Sequence, residues 1–203
     1  MFFKKLFGIK TKISNNIDSR AIIGSGTKVW ENSQIRENAI IGSDCTISRN
    51  VYIGPGVKIG NSVKIQNNAL IYEPAVIEDG VFIGPGAIFT NDPHPRAINP
   101  DATKKTEEDW NKEGVKVEYG ASIGAGAICI APVKIGKWSM VAAGSVVTKD
   151  VLAFALVAGV PAKQIGWVGK SGVKLIEKEA NFFVCPETQK QFKLSAGNLV
   201  EIN

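Results

Sequence analysis

Ile53-Gly54-Pro55-Gly56-Val57-Lys58-Ile59-Gly60-Asn61-Ser62-Val63-Lys64-Ile65-Gln66-Asn67-Asn68-Ala69-Leu70-Ile71 is the stretch that decides the fold of this 203-residue chain. An aliphatic residue returns every six positions. Backward, the period reaches Ile17 through Ile47, Ile41, Ile35, Val29 and Ile23; forward, it runs to Ile83 and Phe89. It then stops and resumes at Val117, Ile123, Cys129, Ile135, Val141 and Val147. A second row, four residues after the first, is small or β-branched, as at Ala39, Cys45, Val51 and Val57. Period six fits neither the 3.6 of an α-helix nor the 2.0 of a long strand. It fits a two-residue strand followed by a corner. The residue three after each aliphatic is Gly, Asn or Asp in thirteen of eighteen hexads, including Gly26, Asn32, Asp44, Gly56, Gly126 and Gly144. These types tolerate left-handed backbone. Three corners close a triangle, so a coil takes about eighteen residues, as in a parallel β-helix of hexapeptide repeats. Nineteen hexads make about six coils, a prism about 30 Å long at roughly 4.8 Å per stacked strand.

Composition agrees. The chain holds 24 Ile and 19 Val against 7 Leu, and 21 Gly. β-Branched side chains are restricted in helices and suit a pleated sheet, which excludes a helix bundle. No apolar run approaches the ~20 residues that span a bilayer, so no transmembrane segment is expected. The first residues lack the small-residue cleavage site of a secretory signal. Three Cys without a close pair make neither a disulfide framework nor a zinc site, and fit a reducing, cytoplasmic setting. The net charge of +5 is spread along the chain. It suits anionic small molecules rather than a nucleic-acid surface.

The organisation follows from the period. Residues 1–16 read as an N-terminal cap over the open first coil, with Phe2, Phe3, Leu6, Phe7 and Ile9 set among Lys4, Lys5, Lys10 and Lys12. A basic amphipathic membrane-surface segment is the other reading of this leader. The β-helix is expected over 17–163, broken by an external loop over 90–116 with Pro93, Pro95 and Pro100. Loops longer than about 12–15 residues are usually functional or disordered, and this one is expected to reach toward a neighbouring subunit. Residues 164–203 read as a small C-terminal cap.

The hexads Ile53-Gly54-Pro55-Gly56, Ile83-Gly84-Pro85-Gly86 and Ile123-Gly124-Ala125-Gly126 resemble the left-handed β-helix acyltransferases. The resemblance implies an all-β, left-handed parallel β-helix and acyl transfer from a coenzyme A thioester. A left-handed β-helix carbonic anhydrase needs three His ligands around zinc, whereas this chain has one His, so no metal is expected. The regular Thr rows of ice-binding versions are absent. Further stretches resemble one subgroup: Lys64 to Asn68, Tyr72-Glu73, Glu78 to Phe82, Phe89-Thr90-Asn91 with Pro95-Arg96-Ala97, Phe154 to Val157 and Gln164 to Trp167. That subgroup is the N-acetyltransferases of nucleotide-linked 3-amino sugars, nearest those making UDP-2,3-diacetamido-2,3-dideoxy-glucuronate for surface polysaccharide. The likeness covers roughly Ile17 to the end. It departs at the leader and at Trp30-Glu31-Asn32, which replace a shorter lead-in and a Trp-His pair. The resemblance also implies a homotrimer with sites between subunits.

The same resemblance assigns Gly159, Pro161 and Lys163 to a closing segment along coenzyme A. A Lys beside exposed backbone amides suits a phosphate. Gly124, Ala142, Ala143 and Gly144 present backbone with little side chain, which lets a pantetheine arm lie close. A backbone N–H there could polarise the thioester carbonyl. For the acceptor, Glu73 and Asn91 are eighteen apart and should stack on one corner, while Gln66 and Asn67 sit on the preceding corner. Asn32, Asn50 and Asn68, also eighteen apart, read as a structural ladder. Gln66, Asn67, Tyr72, Glu73 and Arg96 are the expected substrate contacts, and Asn91 the group positioning the amine. Asp92 and Glu73 are alternative proton acceptors. His94, the lone His, is of the residue type that most often serves as a general base, and a His-Pro step resembles the base of sugar O-acetyltransferases. O-acetylation through His94 is therefore the second enzyme reading, and a non-catalytic solenoid scaffold the third. Cys45 and Cys129 fall on inward rows as core fillers, and Cys185 has no partner in the sequence.

Overall fold

The structure, a computed structural model, describes residues 16–202. The N-terminal cap expected over 1–16 lies outside the described residues except for Asn16, which opens the first strand, Asn16–Ile17. From there to Val147 the chain runs through short strands, nearly all of two residues, stacked in three parallel sheets. The first sheet runs from Asn16–Ile17 to Val146–Val147, and the second from Ile22–Ile23 to Val133–Ile135. The third runs from Lys28–Val29 to Met140–Val141 and is extended by Ala155–Gly159 and the antiparallel Ala162–Trp167. The architecture is the left-handed parallel β-helix that the hexads imply.

Register follows the arithmetic. Leu70 pairs with Tyr52 and with Ile88, eighteen residues away on either side. The corner residues from Gly26 to Gly144 have positive φ, Asn32 at 61° and Asn68 at 61° among them. At the two exceptions, Pro74 and Pro132, the preceding peptide bond is cis. Trp138, at φ 56°, is a bulky residue in a position that favours Gly or Asn. Its ring covers Gly120, where a Cβ would stand 2.7 Å from it, so a Gly at 120 is what lets the aromatic fit.

The hexad row is the core. Ile53, Ile65, Ile71, Ile83 and Ile123 are fully buried, with Ala69, Ala75 and Ala87 of the second row between them. Burying an aliphatic side chain of this size contributes about 1.5–3 kcal/mol. Phe89 lies in register with Cys129, a large side chain beside a small one. Burial pushes the Cys129 thiol up to about 12. It should stay unmodified by a thiol-directed alkylating reagent at neutral pH in the folded protein and react on unfolding, read by mass spectrometry.

The ends differ. On the first coil Ile17, Ile22 and Trp30 are exposed. At the other end Ala162 and Trp167 fold onto the core. The C-terminal cap is a four-stranded antiparallel sheet of Ile176–Glu179, Phe182–Val184, Gln191–Ser195 and Asn198–Glu201. Its own core holds Phe183, Cys185, Phe192 and Leu199 against Phe154, and Trp138 and Trp167 pack on it. Cys185, partnerless in the sequence, is a buried cap residue with Ser171 Oγ at 3.4 Å from its Sγ. Two boundaries shift. The external loop expected over 90–116 ends earlier, because Val115–Val117 is already a strand paired with Val76 and Ile77. The cap expected from 164 begins later, because Ala162–Trp167 still belongs to the third sheet.

Candidate active site

The candidate residues fall on two edges of the prism, and both edges border the first sheet. Gln66, Asn67, Gly124, Ala142, Ala143 and Gly144 lie where the chain passes from the third sheet to the first. Gly159 continues this edge, since Val157 pairs with Val141. Gly124 must lack a side chain there: a Cβ would stand 2.4 Å from Ala143 N. The corner amides are mostly spent between coils, Gly126 N on Pro85 O and Gly144 N on Ala125 O, both at 2.8 Å. The N–H groups of Ala125 and Ala143 donate to no protein acceptor among the described residues, and both residues are exposed. At other corners an Asn or Asp of the following coil takes the equivalent N–H, as Asn61 Oδ1 takes that of Ser43 at 2.8 Å and, lower on this same edge, Asn67 Oδ1 that of Arg49. Ala143 and Gly159 stand opposite instead and offer no such oxygen. The result is a strip of unshielded backbone donors. It ends at a hairpin whose tip is Val160-Pro161 and whose return strand carries Lys163, beside Lys149.

Tyr72, Glu73 and Asn91 lie on the next edge, where the chain passes from the first sheet to the second. The Tyr72 ring packs on Tyr52, centroids 5.1 Å apart. Burial, then the nearby Glu73 charge, raises the Tyr52 phenol above its usual value. Glu73 Oε1 is 3.4 Å from Lys112 Nζ, which the external loop brings back to this edge. Glu73 Oε2 is buried without a hydrogen-bond partner among the described residues. Asn91 is anchored by its backbone, its carbonyl accepting from Glu113 N at 3.1 Å. Its carboxamide makes no hydrogen bond among the described residues.

The remaining candidates are spread out. Asn67 Oδ1 accepts the Arg49 N–H at 3.2 Å, which leaves Gln66 the freer of that pair. Of the asparagine ladder, Asn50 Nδ2 donates to Asn68 Oδ1 at 3.1 Å. Asp92 Oδ1 accepts the His94 backbone N–H at 2.8 Å, a local turn within the loop. The His94 imidazole is exposed and, among the described residues, has no carboxylate to orient it. Arg96 is exposed, donating to Pro95 O at 2.9 Å. Asp92 and Arg96 line an open depression of about 410 Å³ with Lys105, Thr106, Glu107 and Trp110.

Two features escaped the sequence reading. Lys112 gave no signal, because only the returning loop brings it to Glu73. The second feature was legible: residues just before the hexad row point outward. On the first sheet they are polar at Asn16 and Gln34 and then form an apolar column in register from Tyr52 through Leu70, Ile88 and Ile128 to Val146. The equivalent columns of the other two sheets are mixed: Lys58, Lys116 and Lys134 stand among Ile22, Ile40 and Val76 on the second, and Lys28, Lys64 and Ser122 among Thr46, Phe82 and Met140 on the third.

Comparison with known proteins matches the bacterial transferase hexapeptide family (six repeats) at residues 20–55 and 56–91. The hexapeptide repeat of succinyl-transferase matches residues 114–149. Together the matches span just over half of the chain and break at the external loop. A dTDP-3-amino-3,6-dideoxy-alpha-D-galactopyranose 3-N-acetyltransferase of Aneurinibacillus thermoaerophilus is 42% identical over 83 residues, 40% of this chain and 41% of that protein. A 2,3,4,5-tetrahydropyridine-2,6-dicarboxylate N-acetyltransferase of Clostridium perfringens is 57% identical over 49 residues, 24% of this chain and 21% of that protein. The match to these curated relatives thus spans less than half of their length. A solved hexapeptide transferase family protein of Anaplasma phagocytophilum shares the fold, with TM-score 0.54 and 23% identity over 80% of this chain and 84% of that one.

Proposed function

The chain belongs to the bacterial hexapeptide-repeat transferases, and from that premise we propose that it is an acetyl-CoA-dependent N-acetyltransferase of a nucleotide-linked 3-amino sugar. The acceptor proposed is the 3-amino group of UDP-2-acetamido-3-amino-2,3-dideoxy-glucuronate, in cytoplasmic synthesis of surface polysaccharide. The relative from Aneurinibacillus, named for a dTDP-linked 3-amino sugar, supports the acceptor class. The Tyr72-Glu73 and Phe89-Thr90-Asn91 motifs support the narrower choice. The net charge of +5 suits two polyanionic ligands.

One observation carries the reading. The apolar column Tyr52, Leu70, Ile88, Ile128 and Val146 is flanked on one side by the Ala–Gly edge and on the other by the Glu73–Asn91 edge. Three copies that bury this face around a threefold axis form a closed ring of head-to-tail contacts. Each groove then sets the Ala–Gly edge of one copy against the Glu73–Asn91 edge of the next. In the proposed reaction the thioester lies along the Ala–Gly edge, where the Ala125 or Ala143 N–H polarises its carbonyl. Asn91 of the facing edge holds the amine for direct attack. The C–N bond forms, the C–S bond breaks, and the departing sulfur takes the proton from nitrogen. Proximity and orientation supply most of the acceleration. The lone His94, without an orienting carboxylate, has no assigned part.

The test is release of free thiol from acetyl-CoA with a panel of UDP- and dTDP-linked amino sugars. Turnover with a 3-amino sugar is expected. No turnover, together with no acetyl-CoA binding by calorimetry, would leave a non-catalytic solenoid. The paired change Ile88→Glu and Ile128→Glu tests the assembly. It should yield a folded monomer by light scattering with turnover reduced at least about a hundredfold, since a charge buried at an apolar contact is strongly unfavourable. An active monomer would refute the shared groove.

A further inference from the structure

Glu73 takes up a place that an Asn or Asp fills elsewhere in this prism. At Ser43 and Asn61 the second corner residue has an N–H pointing along the stack, and an Asn or Asp one coil further on takes it. Asn61 Oδ1 accepts from Ser43 N at 2.8 Å, and Asp79 Oδ1 from Asn61 N at 2.7 Å. Each acceptor lies over the Gly before that N–H: Asn61 Oδ1 stands 2.6 Å from where a Cβ on Gly42 would be. Glu73 repeats the arrangement one edge away, its Oε2 standing 2.5 Å from the Cβ position of Gly54. The residue after Gly54 is Pro55, which has no N–H to give. The carboxylate is therefore folded into an acceptor's place with no donor beneath it, and Oε2 is buried and unpaired.

We propose that Glu73 recognises the ammonium group of the acceptor sugar and so selects amines over hydroxyls. The proposal rests on the N-acetyltransferase reading above. A buried acceptor without a partner is unfavourable, and more so when charged. A ligand cation relieves that cost, and a hydroxyl relieves less of it. Leaving the pocket breaks no hydrogen bond at Oε2, so the side chain is free to turn toward a ligand beside Asn91, one coil on. The groups around it suit this role. Lys112 holds only Oε1, at 3.4 Å and partly exposed, and the stacked rings of Tyr52 and Tyr72 bring no cation to Oε2. Arg36 is engaged by Glu37, its Nε donating to Oε2 of that residue at 2.8 Å. Glu73 forms no bond with the reacting carbonyl. The bound ammonium gives one proton to solvent before its lone pair attacks.

Two substitutions test this, with both UDP- and dTDP-linked 3-amino sugars and their 3-hydroxy counterparts as probes. In the unmodified protein, calorimetry should find the amino sugar bound at least about tenfold more tightly than the hydroxy sugar. Glu73→Gln keeps the shape and removes the charge. It should bring that ratio close to one while acetyl-CoA affinity stays unchanged. Pro55→Ala restores the missing N–H beneath Oε2 without touching the acceptor site. It should raise KM for the amino sugar several-fold, leave kcat within about twofold, and leave Tm equal or higher, because the restored bond now has to break. If the amino sugar is acetylated but Glu73→Gln keeps the preference and Pro55→Ala keeps the KM, this role for Glu73 is wrong. If the unmodified protein neither binds nor acetylates any amino sugar, the functional reading fails first and this role with it.

Discussion

Asn91→Ala lowers kcat/KM for the amino sugar by about a hundredfold, while His94→Ala changes it by less than about threefold: this is the expected outcome of steady-state assays on the two variants. The magnitude for Asn91 is that of losing one positioned polar group at a reacting centre. The physical contrast lies in how the two side chains are held. Asn91 follows the buried Phe89 by two residues, and its carbonyl is fixed by Glu113 N at 3.1 Å. Its carboxamide is therefore aimed by a rigid corner and, among the described residues, is spent on no hydrogen bond. His94 stands on the external loop, exposed, its backbone turned by Asp92 and its ring oriented by none of the described residues. A base that must first be ordered contributes little, and an amine acceptor needs less help than a hydroxyl. Loss of all turnover in His94→Ala with a silent Asn91→Ala would point instead to base-assisted transfer to a hydroxyl.

The second large effect is on stability. Phe89→Ala should cost about 3–5 kcal/mol, the range for deleting a buried aromatic ring. Phe89 is fully buried and in register with Ile71 on one side and Cys129 on the other. The coil above cannot collapse into the space, because its backbone is tied to its neighbours by bonds such as Thr90 N to Cys129 O at 3.0 Å. Urea unfolding of the variant should show the loss as a lower midpoint. A shift worth less than about 1 kcal/mol would mean that the site repacks.

Much of the fold was legible because its rule is local. A hexad needs only an inward aliphatic and a corner residue that accepts positive φ, and each coil touches only its neighbours. Ile53, Gly56 and Asn68 thus announce their places without reference to anything distant. The same arithmetic stacks Glu73 under Asn91 and, had it been applied one residue earlier in each hexad, would have picked out Leu70, Ile88, Ile128 and Val146. The two boundary errors have a common cause. At Val115 and again beyond Lys163 the sheet pairing continues where the apolar period is weak, so hydrogen bonding between strands, and not the side-chain pattern, sets the limit.

By itself the sequence determined the triangular solenoid, its register and the corner on which Glu73 and Asn91 stack, since all three follow from a short repeat and backbone sterics. Only the tertiary structure decided which polar groups are left over. That Ala125 and Ala143 keep free N–H groups depends on what the next coil places opposite them. That Glu73 Oε2 lacks a donor among the described residues depends on a proline eighteen residues back, in the coil beneath. That Lys112 meets Glu73 depends on the path of a loop with no period at all. Hydrogen-bond partners across coils are matched in three dimensions, one acceptor to one donor, and a one-dimensional pattern records the places but not whether each place is filled.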